Sequence, residues 1–197
     1  MTALAAARPR ATVGVLALQG DFEAHARALS DAGAAPREVR LPAGLAGCAG
    51  LVLPGGESTT LLRLLASSGL DRAIPDFHRD GGALLGTCAG AILLAKEVSR
   101  PAQSSLGLLD ATVERNHYGR QLDSFEAETP LGNGPPLPLV FIRAPAFTRV
   151  GPRVEVLASH GSLPILLREG RVLATTFHPE LTPDRRVHGL FLGMLRP

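Results

Sequence analysis

The sequence predicts an α/β protein of three layers, in which a mostly parallel central sheet lies between helices. In the first half, short apolar runs of strand length alternate with segments of helical periodicity. In the second half, strand-like runs follow one another with little helix between them, which adds antiparallel strands to the sheet. The 197 residues, 45% of them hydrophobic and 19% charged, are enough for one globular core.

The first half alternates strand and helix. Apolar, β-branched runs predict strands at 12–18, 38–41, 50–53 and 83–85. Asp21 is expected to cap the first helix, which runs to about Ala32 and stops at Gly33. The next helix is expected to start at a Ser58 or Thr59 cap, followed by a short helix at 71–79 and a strongly apolar helix at 89–98.

The second half is richer in strands. Strands are predicted at 112–114, 124–128, 139–142, 154–158, 165–168 and 172–176. The last two form a hairpin that turns at Glu169-Gly170, and a helix at 184–195 closes the chain. Residues 132–138 form a Pro/Gly loop that is too short for a domain linker. We therefore expect a short N-terminal extension, 1–11, and a single domain, 12–197.

Charge and cysteine content narrow the class of protein. The net charge is only +2 and the basic residues are scattered, which argues against nucleic-acid binding. Two cysteines do not make a disulfide scaffold, and no apolar run has the length of a membrane span. The first residues lack the pattern of a signal peptide. These observations predict a cytoplasmic protein without a membrane anchor.

The segment Gly86–Gly90 (GTCAG) is the cysteine counterpart of a nucleophile elbow. It joins a predicted strand to a predicted helix, so the turn presents Cys88 beyond the sheet edge. The helix N-terminus favours the thiolate, and the backbone N–H of Ala89 is suited to an oxyanion. Most free cysteines are small buried hydrophobes, which is our interpretation of Cys48. For Cys88, the motif and its setting favour a nucleophile.

A histidine and a carboxylate follow the predicted strand 172–176, in the order His178-Pro179-Glu180. Residues two apart in an extended chain point to the same side, so Glu180 is expected to reach His178. A thiol nucleophile needs an imidazole base and a third group that fixes its tautomer. The other histidines are weaker candidates, namely His25, His78, His117, His160 and His188. No spacing of cysteines and histidines indicates a zinc site.

The order of elbow and His-Pro-Glu resembles the class I, triad-type glutamine amidotransferases, whose flavodoxin-like fold agrees with the predicted layers. More specific segments resemble the glutaminase subunit of pyridoxal 5′-phosphate synthase and cover nearly the whole chain. They are 14–20 (GVLALQG), 53–59 (LPGGEST), 114–116 (ERN), 118–121 (YGRQ), 124–125 (SF), 141–145 (FIRAP) and 176–182 (TFHPELT). The departures noticed are the N-terminal extension, the 132–138 loop and the region 160–162.

The resemblance implies a role for each matching residue. The catalytic residues are Cys88, His178 and Glu180. Substrate binding falls to Gly56, Glu57, Ser58, Arg115, Ile142 and Arg143, and the oxyanion hole to Gly55, Gly56 and Ala89. Glutamine carries an α-ammonium and an α-carboxylate, so an acid such as Glu57 and a guanidinium such as Arg115 suit its recognition.

The resemblance also implies an activity and a partner. The chain would hydrolyse L-glutamine and pass the ammonia to a (β/α)₈-barrel synthase subunit in a large hetero-oligomer, without a cofactor or metal of its own. Three alternatives remain: a glutaminase that serves another acceptor synthase, a cysteine peptidase, and an inactive binding subunit. The intact triad argues against the inactive subunit, and the free-amino-acid pocket argues against the peptidase.

Overall fold

The computed structural model describes residues 10–115, 117 and 124–196. The strands are β1 (Thr12–Leu16), β2 (Ala35–Val39), β3 (Gly50–Leu53), β4 (Ala83–Thr87), β5 (Ala95–Ser99), β6 (Leu109–Glu114), β7 (Phe125–Thr129), β8 (Leu137–Phe141), β9 (Ala146–Val150), β10 (Glu155–His160), β11 (Leu163–Glu169) and β12 (Val172–Thr175). The helices are α1 (Phe22–Asp31), α2 (Ser58–Ser68), α3 (Leu70–Arg79), α4 (Ala89–Leu94) and α5 (Arg186–Leu192), with 3₁₀ helices at Pro42–Leu45 and Pro179–Leu181.

The central sheet has seven strands in the order β10-β11-β12-β4-β3-β1-β2. The five strands from β12 to β2 pair in parallel, whereas β10, β11 and β12 pair antiparallel. The hairpin predicted at Glu169-Gly170 is confirmed as the β11–β12 pair. The predicted fold, a mostly parallel sheet extended by antiparallel strands from the second half, is therefore confirmed.

Side chains alternate across the sheet and divide the core in two. In β3, Leu51 and Leu53 pack with α2, α3 and α4, while Val52 packs on the opposite side with α1 and α5. Leu61 and Leu65 of α2 are fully buried in the first cluster. Each such leucine stabilises the fold by about 1.5–3 kcal/mol. The helical layers thus hold the sheet rigid on both faces.

Two smaller sheets complete the molecule. One has the order β5-β6-β9 and packs into the first core cluster, and the other is the β7–β8 hairpin. Strand β9 was not predicted from the sequence. Within the described part of the chain, no helix is long and apolar enough to cross a membrane.

The predicted helix 89–98 is wrong in its second half, because α4 ends at Leu94 and β5 begins at Ala95. Residues 89–95 are all buried, so their apolar run carries no periodicity that separates helix from strand. Lys96 and Glu97 are exposed at the edge of the β5–β6 pair. The helix after the elbow is consequently shorter than expected, and its dipole moment is smaller.

The predicted cap of α2 is also corrected. Ser58 is the first helical residue, and Glu57 is the N-cap that accepts hydrogen bonds from the backbone N–H groups of Thr59 and Thr60. The expected cap of α1 is confirmed, since the Asp21 side chain accepts from the Ala24 N–H. The last helix, α5, covers only Arg186–Leu192 of the predicted 184–195.

Candidate active site

The carboxyl ends of neighbouring parallel strands meet at one edge of the sheet. Strand β4 leads to Cys88, and its two neighbours, β12 and β3, lead to His178 and to the Gly55-Gly56 turn. Strand β1, beyond β3, leads to Gln19. Ligands of open α/β sheets bind outside this edge. The strand order therefore gathers four loops that are far apart in sequence.

These loops enclose a cleft of about 420 Å³. Its lining consists of Gln19, Gly20, Asp21, Gly55, Gly56, Glu57, Ser58, Cys88, Ile92, Arg115, Ile142, Arg143, His178, Glu180 and Leu181. Every residue predicted for catalysis or substrate binding is in this set. Of the residues predicted for the oxyanion hole, Gly55 and Gly56 line the cleft, and Ala89 lies behind them at the start of α4.

Cys88 occupies a strained turn between β4 and α4. Its φ of 50° and ψ of −105° lie in a region that residues with a side chain seldom adopt. The turn depends on its glycines: a Cβ on Gly86 would lie 2.7 Å from the Gly90 backbone, and a Cβ on Gly90 would lie 1.9 Å from the Leu53 carbonyl oxygen. The Cys88 side chain is 7% exposed, at the floor of the cleft.

His178 and Glu180 form the pair that their spacing predicts. The Nδ1 atom of His178 lies 2.8 Å from Oε1 of Glu180, and both side chains are buried. The His178 backbone N–H donates to the Val140 carbonyl at 2.9 Å, which fixes the turn after β12. Nε2 of His178 is buried and has no hydrogen-bond partner among the described residues. One ring nitrogen is thus held, and the other is available to the cleft.

The electrostatics of the pair favour an imidazolium beside a carboxylate. Burial favours the neutral ring, but the neighbouring Cys88 and Glu180 outweigh burial and raise the pKa of His178 to about 10. Burial likewise disfavours an ionised Glu180, but the histidines around it hold its pKa far below the ordinary value. At neutral pH the ring carries the proton that a leaving group needs.

Gly55 packs directly against the imidazole of His178. A Cβ on Gly55 would lie 2.5 Å from Cε1 of His178, and a Cβ on Gly20 would lie 1.8 Å from the Gly55 carbonyl oxygen. Gly20 has a φ of 93°, which favours glycine on conformational grounds as well. The Glu57 backbone N–H donates to the Gln19 side chain at 3.1 Å. The loops after β1 and β3 are therefore packed together, with the ring of His178 against them.

Glu57 and Arg115 form an ion pair at the rim, with Nη2 of Arg115 3.2 Å from Oε1 of Glu57. Hydrogen bonds to the Glu57 carboxylate, the Thr59 hydroxyl first and then the amide and hydroxyl of Thr60, outweigh partial burial and lower its pKa to about 2. The Arg115 side chain is 15% exposed and that of Glu57 46%. Glu57 therefore caps α2 and holds Arg115 at the same time.

The remaining predicted residues line the same cleft as Cys88. Ser58 is buried and donates to Oε1 of Gln103 at 2.9 Å. The Ile142 carbonyl oxygen lies 4.0 Å from Sγ of Cys88. Arg143 is exposed and has a φ of 44°, a strained value for arginine. The motif segment 118–121 and Asn116 lie outside the described residues, so their predicted part in the site stays a prediction.

Sequence reasoning missed two contributors to the site. Gln19 was recognised only as part of a similar segment, yet its side chain holds the Glu57 backbone. His25 was set aside because no carboxylate follows it at the right spacing, but its Nε2 lies 3.3 Å from Oε2 of Glu180. The available signal was its place on the buried face of α1, beside Ala24, Ala28 and Leu29.

A comparison with known proteins agrees with this geometry. The SNO glutamine amidotransferase family matches residues 15–196. "Pyridoxal 5′-phosphate synthase subunit PdxT" of Deinococcus radiodurans is 58% identical over 189 residues, which is 93% of this chain and 96% of the relative. A protein of the same name from Thermus thermophilus is 52% identical, over 94% and 98% of the two chains.

A solved structure described as a glutamine amidotransferase superposes with a TM-score of 0.87 at 50% identity, over 92% of this chain and 97% of that one. Agreement in sequence and in fold thus extends over almost the full length of the chain and includes the loops that form the cleft. The chain belongs to the SNO glutamine amidotransferase family.

Proposed function

We propose that this chain is a glutaminase that hydrolyses L-glutamine to L-glutamate and ammonia. The observation that carries the proposal is the strained elbow of Cys88 beside the buried His178–Glu180 pair, in one cleft at the sheet edge. A thiol nucleophile, an imidazole that exchanges a proton and a carboxylate that fixes the ring are the parts that acyl transfer needs.

In the proposed reaction, the Cys88 thiolate attacks the side-chain amide carbon of glutamine and forms a tetrahedral oxyanion. His178 gives its Nε2 proton to the leaving nitrogen, and ammonia departs as the thioester forms. The imidazole then takes a proton from water, whose oxygen attacks the thioester carbon and releases glutamate and the thiolate. Glu180 holds the ring in the required tautomer through the Nδ1–H.

The rim of the cleft supplies recognition of a free amino acid. Among the described residues, Glu57 engages one Nη of Arg115, and the guanidinium has further donors that suit the α-carboxylate of glutamine. The ionised Glu57 is suited to the α-ammonium, which would share it with Arg115. Ser58, Ile142 and Arg143 are proposed to complete the substrate pocket, since they line the same cleft.

The oxyanion hole is proposed to use the Gly55-Gly56 peptide and the Ala89 N–H. The Gly55 carbonyl is now directed at Gly20. Rotation of this peptide exchanges the direction of its N–H and its carbonyl, and glycines on both sides permit it. A donor of this kind is worth about 10²–10³ in kcat. A partner that contacts the Gln19–Asp21 loop would bias that rotation through Gly20.

The ammonia is proposed to pass to the (β/α)₈-barrel subunit of a pyridoxal 5′-phosphate synthase, in a cytoplasmic hetero-oligomer. The names of the relatives support this partner, and the chain covers 96–98% of their length. Both cysteines are free thiols, which suits a reducing compartment.

Glutamate release from L-glutamine, measured with and without the synthase barrel, tests the proposal. We expect slow hydrolysis by the chain alone and strong stimulation by the barrel. Cys88→Ser removes the thioester path and abolishes release, whereas the matched Cys48→Ser variant keeps it. Unaltered glutamate release by Cys88→Ser would contradict the assignment of Cys88 as the nucleophile. A rate of release that is the same with and without the barrel would contradict the assignment of the partner.

A further inference from the structure

Two buried histidines stand behind the proposed triad, outside its three residues. His25 lies in α1 and His188 in α5, and both are 0% exposed. Nδ1 of His25 is 3.2 Å from Nε2 of His188. Nε2 of His25 is 3.1 Å from the Thr87 hydroxyl and 3.3 Å from Oε2 of Glu180. Histidines are rarely buried this completely without a polar partner, and these partners lead to the proposed site.

The position of each proton follows from the acceptors. Glu180 is ionised and can only accept, so a bare Nε2 on His25 would place two lone pairs against each other at 3.3 Å. His25 Nε2 therefore carries a proton. Nδ1 of His25 lies 3.2 Å from Nε2 of His188, so one proton lies between the two rings.

His188 is the last residue in this series of polar contacts. Burial, reinforced by His25 and Arg185 and opposed by Glu180, lowers the pKa of His188 to about 3, so the ring is neutral. Its Nε2 contacts His25, and its buried Nδ1 has no hydrogen-bond partner among the described residues. The charged and titratable groups around His25 are therefore Glu180 from the 3₁₀ helix and His188 from α5, with Arg185 acting on the latter.

We propose that His25 is a positioning residue of the site, held in place by His188. This proposal rests on the proposed function. The two oxygens of Glu180 differ: Oε1 accepts from His178, whereas Oε2 is buried without an aligned hydrogen bond among the described residues and has Nε2 of His25 3.3 Å away. Without His25, the buried Oε2 loses the polar group beside it, and the carboxylate is free to turn away from His178.

The same N–H joins Glu180 to the nucleophile elbow. Thr87 immediately precedes Cys88, and its hydroxyl contacts the Nε2 atom that faces Glu180. His25 thus fixes the orienting carboxylate relative to the turn that carries the thiol. Groups that orient a metal-binding side chain are worth about 10–100-fold in activity, and we take the same range for a group that orients Glu180. We expect that loss in kcat, with KM for glutamine changed less than about twofold, because His25 does not line the cleft.

The test compares His25→Gln, which keeps an N–H near the position of Nε2, with His25→Leu, which removes it. Both are made in a Cys48→Ser background, so that alkylation by iodoacetamide reports on Cys88 alone. The pH profile of alkylation measures the thiolate–imidazolium pair without glutamine turnover. The alkylation profile can be measured even if the chain releases no glutamate. Failure of this proposal can therefore be distinguished from failure of the proposed function.

We expect the midpoint of the alkylation profile to rise in His25→Leu, in the direction seen for Glu180→Gln, and kcat to fall about 10–100-fold. His25→Gln should keep most of the wild-type kcat and a midpoint close to that of the wild type. Urea unfolding of each variant distinguishes these effects from loss of the fold. A folded His25→Leu variant with the wild-type profile and kcat overturns the proposal. If His25→Leu does not fold, His188→Leu should shift the profile in the same direction by less, and an unchanged profile overturns it.

Discussion

Replacement of Gly55 by alanine tests how closely the proposed base is held. The new Cβ would lie 2.5 Å from Cε1 and 3.2 Å from Nδ1 of His178. Carbon atoms in contact need about 3.5 Å, so the ring or the Gly55 loop must move by about 1 Å. The backbone itself accepts alanine, because Gly55 is not among the glycines with positive φ. The observed backbone conformation therefore adds no strain, and the effect should arise from the contact with His178, with any hindered rotation of the Gly55-Gly56 peptide lowering the rate further.

A displacement of about 1 Å in a reacting group costs about 10²-fold in rate, or about 2.7 kcal/mol in activation free energy. We expect kcat/KM for glutamate release to fall by that factor in Gly55→Ala, measured with the synthase barrel present. The fold should persist, because the clash involves one ring at the cleft wall and not the core. Urea unfolding of the variant checks this.

Gly189→Ala is the matched control. It makes the same chemical change in α5, where an added Cβ meets nothing within 4 Å. Its rate should equal that of the wild type, and the helix should gain up to about 1 kcal/mol of stability. A Gly55→Ala enzyme with a rate within about twofold of wild type would refute the reasoning, since the imidazole would then work without its contact to Gly55.

Two further predictions concern the rim. Arg115→Ala should weaken glutamine binding by about 2–5 kcal/mol, and less for an analogue without the α-carboxylate; equal losses in KM would assign Arg115 to the fold. Glu57→Gln removes a carboxylate whose folded pKa is about 2 against an ordinary 4.5. Its stabilising effect is complete above pH 4.5 and is lost as the pH falls through about 2, so wild-type and variant unfolding free energies should converge across that window. A constant difference from neutral pH to about pH 2 would contradict the prediction.

The parts of the fold that could be predicted are those that depend on the residue pattern of a single short segment. Strand β3, the Asp21 cap and the hairpin at Glu169-Gly170 each follow from residues within one short segment. The helix after Cys88 was predicted too long because residues 89–95 are buried on all sides, and burial on all sides leaves no periodicity. The N-terminal extension and the single-domain boundary at residue 12 stay predictions, because residues 1–9 are not described.

The candidate site also has contacts that follow from local sequence and contacts that do not. His178 and Glu180 are two residues apart, so the geometry of an extended chain is enough to join them. His25 and Glu180 are far apart in the chain and meet only because α1 packs against the 3₁₀ helix Pro179–Leu181. No spacing rule can express such a contact. What the sequence does express is a histidine on an otherwise apolar helix face, at position 25 in α1 and again at 188 in α5. A buried imidazole requires a partner, and two of them on helices that pack on the same face of the sheet limit where that partner lies. A motif can indicate the central residues of a site. Polar residues on otherwise apolar, buried faces are then the best candidates for the side chains that orient those residues.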